Sequence, residues 1–171
     1  MRTTKTDRLL RIAMGLLVVA LCYVIYAAIH ERVVVAGDRA PAFTIRADSG
    51  QRVSLPNLDG KILVLNFWAT WCPPCVEETP SLSRFAQVYA PKGVVVLGIS
   101  VDQDPQAYSA FLRKFNPAFL TARELKLHED FGTYMYPETY IIDPQGRVLQ
   151  KLAEPADWMD PKITGYIDSL L

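Results

Sequence analysis

The sequence predicts an α/β protein with a mainly parallel sheet covered on both faces, and three observations carry that prediction. Two continuous apolar runs, Ile62 to Trp68 and Gly93 to Ser100, lack alternation, which is the pattern of strands buried on both sides. Segments 76–89 and 106–115, one after each run, read as helices, and Tyr108, Phe111, Leu112 and Phe115 share one side of the second. Two short segments, 138–142 and 148–152, flank Asp143-Pro-Gln-Gly146, a type I turn sequence that predicts a closing antiparallel hairpin.

The elements follow in order. Residues 1–11 form a tail containing Arg2, Lys5, Arg8 and Arg11. Ile12 to Ile29 is a run of 18 residues without a charge, a polar amide or a proline. As a helix it would span roughly 27 Å, close to the hydrocarbon thickness of a bilayer. The basic side predicts a cytoplasmic N-terminus and a domain on the other, extracytoplasmic face. The competing reading is a cleaved signal peptide, with Val34-Val35-Ala36 before Gly37 as its cleavage site. Signal peptides have shorter apolar regions, and the length favours an anchor. Cys22 lies inside the run after Leu21, where a lipoprotein would need a small residue, so it reads as an apolar filler.

Residues 30–42 read as a linker, and 43–171 as one domain. Within it, 43–47 and 52–55 predict a hairpin around Asp48-Ser49-Gly50, and 56–60 a loop. After the strand 62–68 comes the helix 76–89, in which Pro80 predicts a kink. Asp102 to Pro105 breaks the pattern before the second helix, which Asn116-Pro117 ends. A short strand over 118–122, a short helix over 124–131 closed by Gly132, and a last helix over 159–171 complete the chain.

From Gly37 onward 13 Lys plus Arg face 16 Asp plus Glu, a net charge of −3. No basic stripe is available for nucleic acid. The same region holds only two cysteines, Cys72 and Cys75, so no disulfide framework supports the fold.

Those two cysteines carry the chemistry. Trp71-Cys-Pro-Pro-Cys75 joins a predicted strand to a helix start, where unpaired N–H groups and the dipole favour a thiolate. A structural zinc site needs four ligands, and the chain adds only His30 and His128 to this pair. Covalent haem attachment needs a histidine where Val76 stands. A purely structural disulfide over four residues gains little loop-closure entropy. Reversible thiol–disulfide exchange remains, with no metal and no cofactor.

Asn66-Phe-Trp-Ala-Thr-Trp-Cys-Pro-Pro-Cys75, then Glu77-Glu78-Thr-Pro80, then Met135-Tyr-Pro-Glu-Thr-Tyr-Ile-Ile-Asp143 and Gly146, resembles the membrane-anchored thioredoxin-like proteins of the TlpA/ResA type. Gly37-Asp-Arg-Ala-Pro-Ala-Phe43 and Leu58-Asp-Gly-Lys61 are similar to that group's N-terminal extension. The resemblance implies a thioredoxin fold with an N-terminal β-hairpin extension and a βα insertion, here about Asp102 to Ala122. It implies an extracytoplasmic thiol–disulfide oxidoreductase that reduces exported proteins such as apo-cytochrome c. Its electrons would come from a membrane donor of the CcdA/DsbD sort.

Carried onto this sequence, the resemblance makes Cys72 the attacking thiol and Cys75 the resolving one; position 72 precedes the helix and reads as the more exposed sulfur, position 75, inside the first turn, as the more buried. It makes Tyr136-Pro137 a loop facing the pair, with the proline cis and a backbone edge for the substrate chain. Asn66 stands where cytoplasmic thioredoxins carry a buried Asp. Glu78, one helical turn beyond Cys75, is a replacement acid, or, like Glu77, only a complement to the helix dipole. Trp68 and Trp71 read as packing residues, with Trp71 also shielding the sulfurs and touching substrate. His128, beside acidic residues, reads as a solvated surface group.

Two rivals share this architecture. A peroxidase of peroxiredoxin type needs threonine three residues before its cysteine, where Ala69 stands and Thr70 is one place off. A copper chaperone of this fold spaces its cysteines by three residues and adds a histidine. The direction of exchange stays open, since Pro-Pro between the cysteines does not set a potential.

Overall fold

A computed structural model describes residues 5–30 and 33–171. Residues 1–4 of the expected tail and 31–32 of the expected linker lie outside the described residues. The chain divides into two units, Met1–Arg32 and Val33–Leu171. In the first, helix α1 covers Lys5–His30, and Asp7–Tyr26 is long and apolar enough to cross a membrane.

The second unit has a five-stranded sheet in the order β5-β4-β3-β6-β7. Its strands are β3 (Ile62–Trp68), β4 (Val94–Ser100), β5 (Leu120–Arg123), β6 (Glu138–Ile142) and β7 (Val148–Leu152). Strands β3, β4 and β5 run parallel, while β6 and β7 are antiparallel to their neighbours. The expected N-terminal hairpin is present as β1 (Thr44–Arg46) and β2 (Arg52–Ser54).

The period of two along β3 divides the interior. Leu63, Leu65 and Phe67 point to a core completed by Ile45, Val53, Phe131, Tyr140 and Ile142. Ile62 and Val64 point to the other face, against Leu82, Phe85 and Tyr89 of α2 (Pro73–Tyr89) and Ile167 of α5 (Pro161–Asp168). A third cluster, beyond the C-terminal end of β3, joins Trp68 and both active-region cysteines to Tyr108 and Phe111 of α3 (Pro105–Phe115). Gly98 of β4 leaves the space for this: a Cβ there would lie 2.7 Å from the Phe119 ring and 3.0 Å from Trp68 Nε1.

Helix α3 and strand β5 form the expected insertion. Tyr108 and Thr121 both donate to the Asp48 carboxylate, and Asp48 N–H donates to Thr121 O at 2.8 Å. The hairpin turn and the insertion are therefore bonded to each other.

Several boundaries differ from expectation. Residues 34–40, expected as linker, belong to the packed unit: Val34 is buried and donates to Phe131 O, and Gly37 and Ala40 donate to Val148 O and Gly146 O. Helix α2 starts at Pro73 rather than Val76, because proline without an N–H is tolerated in a first turn. It runs on through Pro80. Helix α4 is shortened to Leu127–Asp130. Helix α5 begins only after Asp160, whose carboxylate caps Lys162 N–H, and Trp158 is left buried against Phe85.

Candidate active site

Strand β3 ends at Trp68, the chain turns through Ala69-Thr70-Trp71, and Cys72 becomes the N-cap of α2. Asp102, at the end of β4 and almost fully buried, fixes this turn. Its carboxylate accepts the Thr70 N–H at 3.0 and 3.1 Å, the Thr70 hydroxyl at 2.6 Å and the Ser100 hydroxyl at 2.6 Å. Thr70 is thus occupied as a partner of Asp102. Asp102 carries no signal of this role in the sequence, because nothing in the order of residues shows that the end of β4 reaches the turn after β3.

Cys72 and Cys75 form a disulfide with Cα atoms 5.3 Å apart. The Cys75 N–H points at Cys72 Sγ from 3.3 Å, an orientation that favours negative charge on that sulfur after reduction. Cys72 is 5% exposed and Cys75 1%, so the ordering matches expectation although the first sulfur is far less open than its position suggested.

The loop between α4 and β6 closes over this pair. The Tyr136-Pro137 peptide is cis, as expected, and Pro137 is buried. Tyr136 O lies 3.4 Å from Cys72 Sγ. In the disulfide that sulfur carries no proton, so this is a contact; a reduced thiol could donate along the same line. Trp71 departs from its reading as a packing residue. It is 64% exposed, with its ring edge-on to Tyr136 at 5.9 Å between centroids, because the turn after β3 points it away from the core that Trp68 fills.

Asn66 and Glu78 meet on the α2 side of the sheet. Asn66 follows Ile62 and Val64 in the two-residue period and therefore faces α2, where Glu78 lies one turn beyond Cys75. Asn66 Nδ2 donates to Glu78 Oε1 at 2.9 Å and to Thr139 Oγ1 at 2.9 Å, and Ala156 N–H donates to Glu78 Oε2 at 3.1 Å. Glu78 is buried, and burial pushes its pKa up despite these hydrogen bonds. Glu78 is enclosed, whereas Glu77 on the same helix is exposed. An open depression lined by Pro74, Glu78, Ser81 and Ala156 links this carboxyl to solvent.

His128 is also corrected. It is half-buried, and its Nδ1 lies 2.8 Å from Thr133 O and 3.2 Å from the Tyr136 hydroxyl, so it braces the cis-proline loop. Among the described residues no group of three His, Cys, Asp or Glu side chains is placed to hold a metal ion.

The Redoxin family model matches residues 35–167. The chain is 29% identical over 153 residues to the thiol-disulfide oxidoreductase ResA of Bacillus subtilis, covering 85% of this chain and 86% of the relative. It is 35% identical over 119 residues to the thioredoxin-like protein YneN of the same organism, covering 68% and 69%. The crystal structure of a putative thiol:disulfide interchange protein DsbE from Chlorobium tepidum superposes with a TM-score of 0.71 at 26% identity, covering 81% of this chain and 98% of that one. With a cysteine disulfide at the start of α2 and a cis-proline loop against it, the chain belongs to the Redoxin family and is a ResA-type thiol–disulfide oxidoreductase.

Proposed function

We propose that this protein is anchored in the membrane by residues 12–29, with residues 1–11 cytoplasmic. The domain, whose packed part begins near residue 33, then works on the extracytoplasmic side as a reductant of disulfides in exported proteins, apo-cytochrome c among them. The apolar length of α1 and the basic residues before it support the topology. The observation that carries the chemistry is the Cys72–Cys75 disulfide capping α2 beneath the Tyr136 carbonyl.

The reaction starts from the dithiol. The Cys72 thiolate attacks one sulfur of a substrate disulfide; the other substrate sulfur leaves as a thiolate and takes up a proton. The Cys75 thiol loses its proton and attacks Cys72 Sγ, which releases the second substrate thiol. Two electrons have passed to the substrate, and the protein is left as the disulfide. A membrane dithiol donor of the CcdA/DsbD sort restores it. Trp71 and the Tyr136-Pro137 loop flank the approach to Cys72, where a substrate chain would lie extended.

Glu78 serves as the proton acceptor for Cys75. Its raised pKa supports this role, since a carboxyl poised nearer to neutrality exchanges protons more readily than an ordinary one. Asn66 cannot take a proton and instead orients Glu78 through its Nδ2.

Trapping in cells tests the reading. Cys75→Ser should accumulate mixed disulfides with exported proteins, because attack proceeds without resolution, while Cys72→Ser should accumulate none. Equal trapping by both variants overturns the roles, and adducts confined to cytoplasmic proteins overturn the location.

A further inference from the structure

Beside the disulfide lies a groove of about 420 Å³ that continues from the Trp71 and Tyr136 flank of the approach to Cys72. Trp71, Tyr136, Gln103, Leu125, His128 and Glu129 are among the residues that line it. Trp71 is 64% exposed and Leu125 41%, so the groove offers apolar surface to something outside the described chain.

Nδ1 of His128 sits against a backbone carbonyl and must therefore carry a proton to donate. In the neutral ring this leaves Nε2 as an acceptor, and no bond to Nε2 is found among the described residues. Glu129 adds a carboxylate, and no Lys or Arg lines the groove. The Tyr136 hydroxyl on its wall is held above its ordinary pKa first by burial, then by Glu138, which Lys151 pairs, and by Glu129. A net charge of −3 from Gly37 onward acts in the same direction at longer range.

We propose that the groove between Trp71 and His128 receives the substrate side chain next to the target disulfide, and that Glu129 and His128 select Lys or Arg at that place. The aliphatic stem of either residue would lie along Trp71 and Leu125, with its charged head at Glu129 and His128 Nε2. The inference rests on the reading that polypeptide disulfides are reduced, and adds which of them are preferred.

The test uses the full-length reduced protein in detergent micelles and three synthetic peptides closed by a Cys-x-x-Cys disulfide. The peptides differ only in carrying Lys, Gln or Glu beside the disulfide, and kcat/KM is measured for each. The order Lys over Gln over Glu is expected, with a Lys-to-Glu ratio up to about fivefold, as suits a solvent-exposed ion pair. The ratio should shrink as salt rises from about 10 mM to about 500 mM. Glu129→Gln should bring it toward one. His128→Asn, whose amide can still donate to Thr133 O, should lower it by removing the Nε2 acceptor. Comparing peptides within one variant cancels any loss of folded protein. A wild-type ratio near one, or a ratio unmoved by Glu129→Gln, overturns the proposal. An unchanged ratio in His128→Asn alone overturns the part given to His128. Failure to reduce any peptide overturns the reductase reading together with this inference.

Discussion

Two buried glutamates stand on either side of the reactive disulfide, and they are held in opposite ways. Glu78 follows Cys75 along α2 and receives an amide from Asn66 and a backbone N–H from Ala156, but no cation. Glu138 follows the cis-proline; it pairs with Lys151 Nζ at 2.9 Å and receives hydroxyls from Thr133 and Tyr140. Each is 5% exposed. With its counter-ion and two hydroxyl donors, the Glu138 carboxylate fastens the loop to β7. A buried carboxylate that has neutral donors alone, with its pKa raised by burial, is suited to change its proton. The same side chain at the same depth is therefore a clamp in one place and, under the function proposed above, a proton acceptor in the other.

Three substitutions separate these roles, each followed by urea denaturation of the full-length protein in micelles with tryptophan fluorescence as the signal. The largest effect is expected for Lys151→Met, which leaves Glu138 buried without its cation and should cost about 3 kcal/mol. A loss under about 1 kcal/mol would mean that the hydroxyls alone hold Glu138, and the contrast with Glu78 would collapse.

Glu78→Gln should cost about 1 kcal/mol at acid pH, because one amide cannot accept from both Asn66 and Ala156. Its pH dependence carries the sharper information. The folded-state pKa of Glu78 is raised above its ordinary 4.5, so the stability it contributes is complete below that value and is lost as the pH rises through the raised one. Glutamine does not ionise, and the cost of the substitution should shrink between about pH 4 and about pH 8. A cost that grows with pH would make Glu78 a second clamp. Glu77→Gln, on the exposed side of the same helix, should change stability by less than about 0.5 kcal/mol at any pH. A larger or pH-dependent change would show that the helix dipole, rather than burial, governs this end of α2.

Legibility in the sequence followed the range of the interaction. Strand β3, the cysteine pair and α2 are contiguous, so an apolar run and a short motif were enough to find them. The facing of Asn66 and Glu78 could be anticipated from periods of two and of three to four, although the depth at which Glu78 is buried could not. The clamp on Glu138 depends on Lys151 lying across the β6–β7 hairpin, and the brace on the Thr70 turn depends on Asp102 arriving from the end of β4. Such contacts join segments whose spacing in the chain carries no period. His128 was misread for the same reason: its acidic neighbours in sequence suggested solvent, while its ring turns toward the loop five residues on. The late start of α5 is a different kind of miss, since Asp160-Pro161 was a visible start signal that an earlier apolar residue, Met159, displaced.

The Asp48 carboxylate, shared by the hairpin turn and the insertion, bears on how long the hairpin stays closed. With three residues in each strand, β1 and β2 form a ladder too short to persist alone. Tyr108 and Thr121 add to the packing of Ile45 and Val53 in holding them closed, and opening the turn means losing those bonds as well. Amide hydrogens of the hairpin and of β5 should therefore trade with solvent in step, as one cooperative unit whose lifetime is set by the insertion.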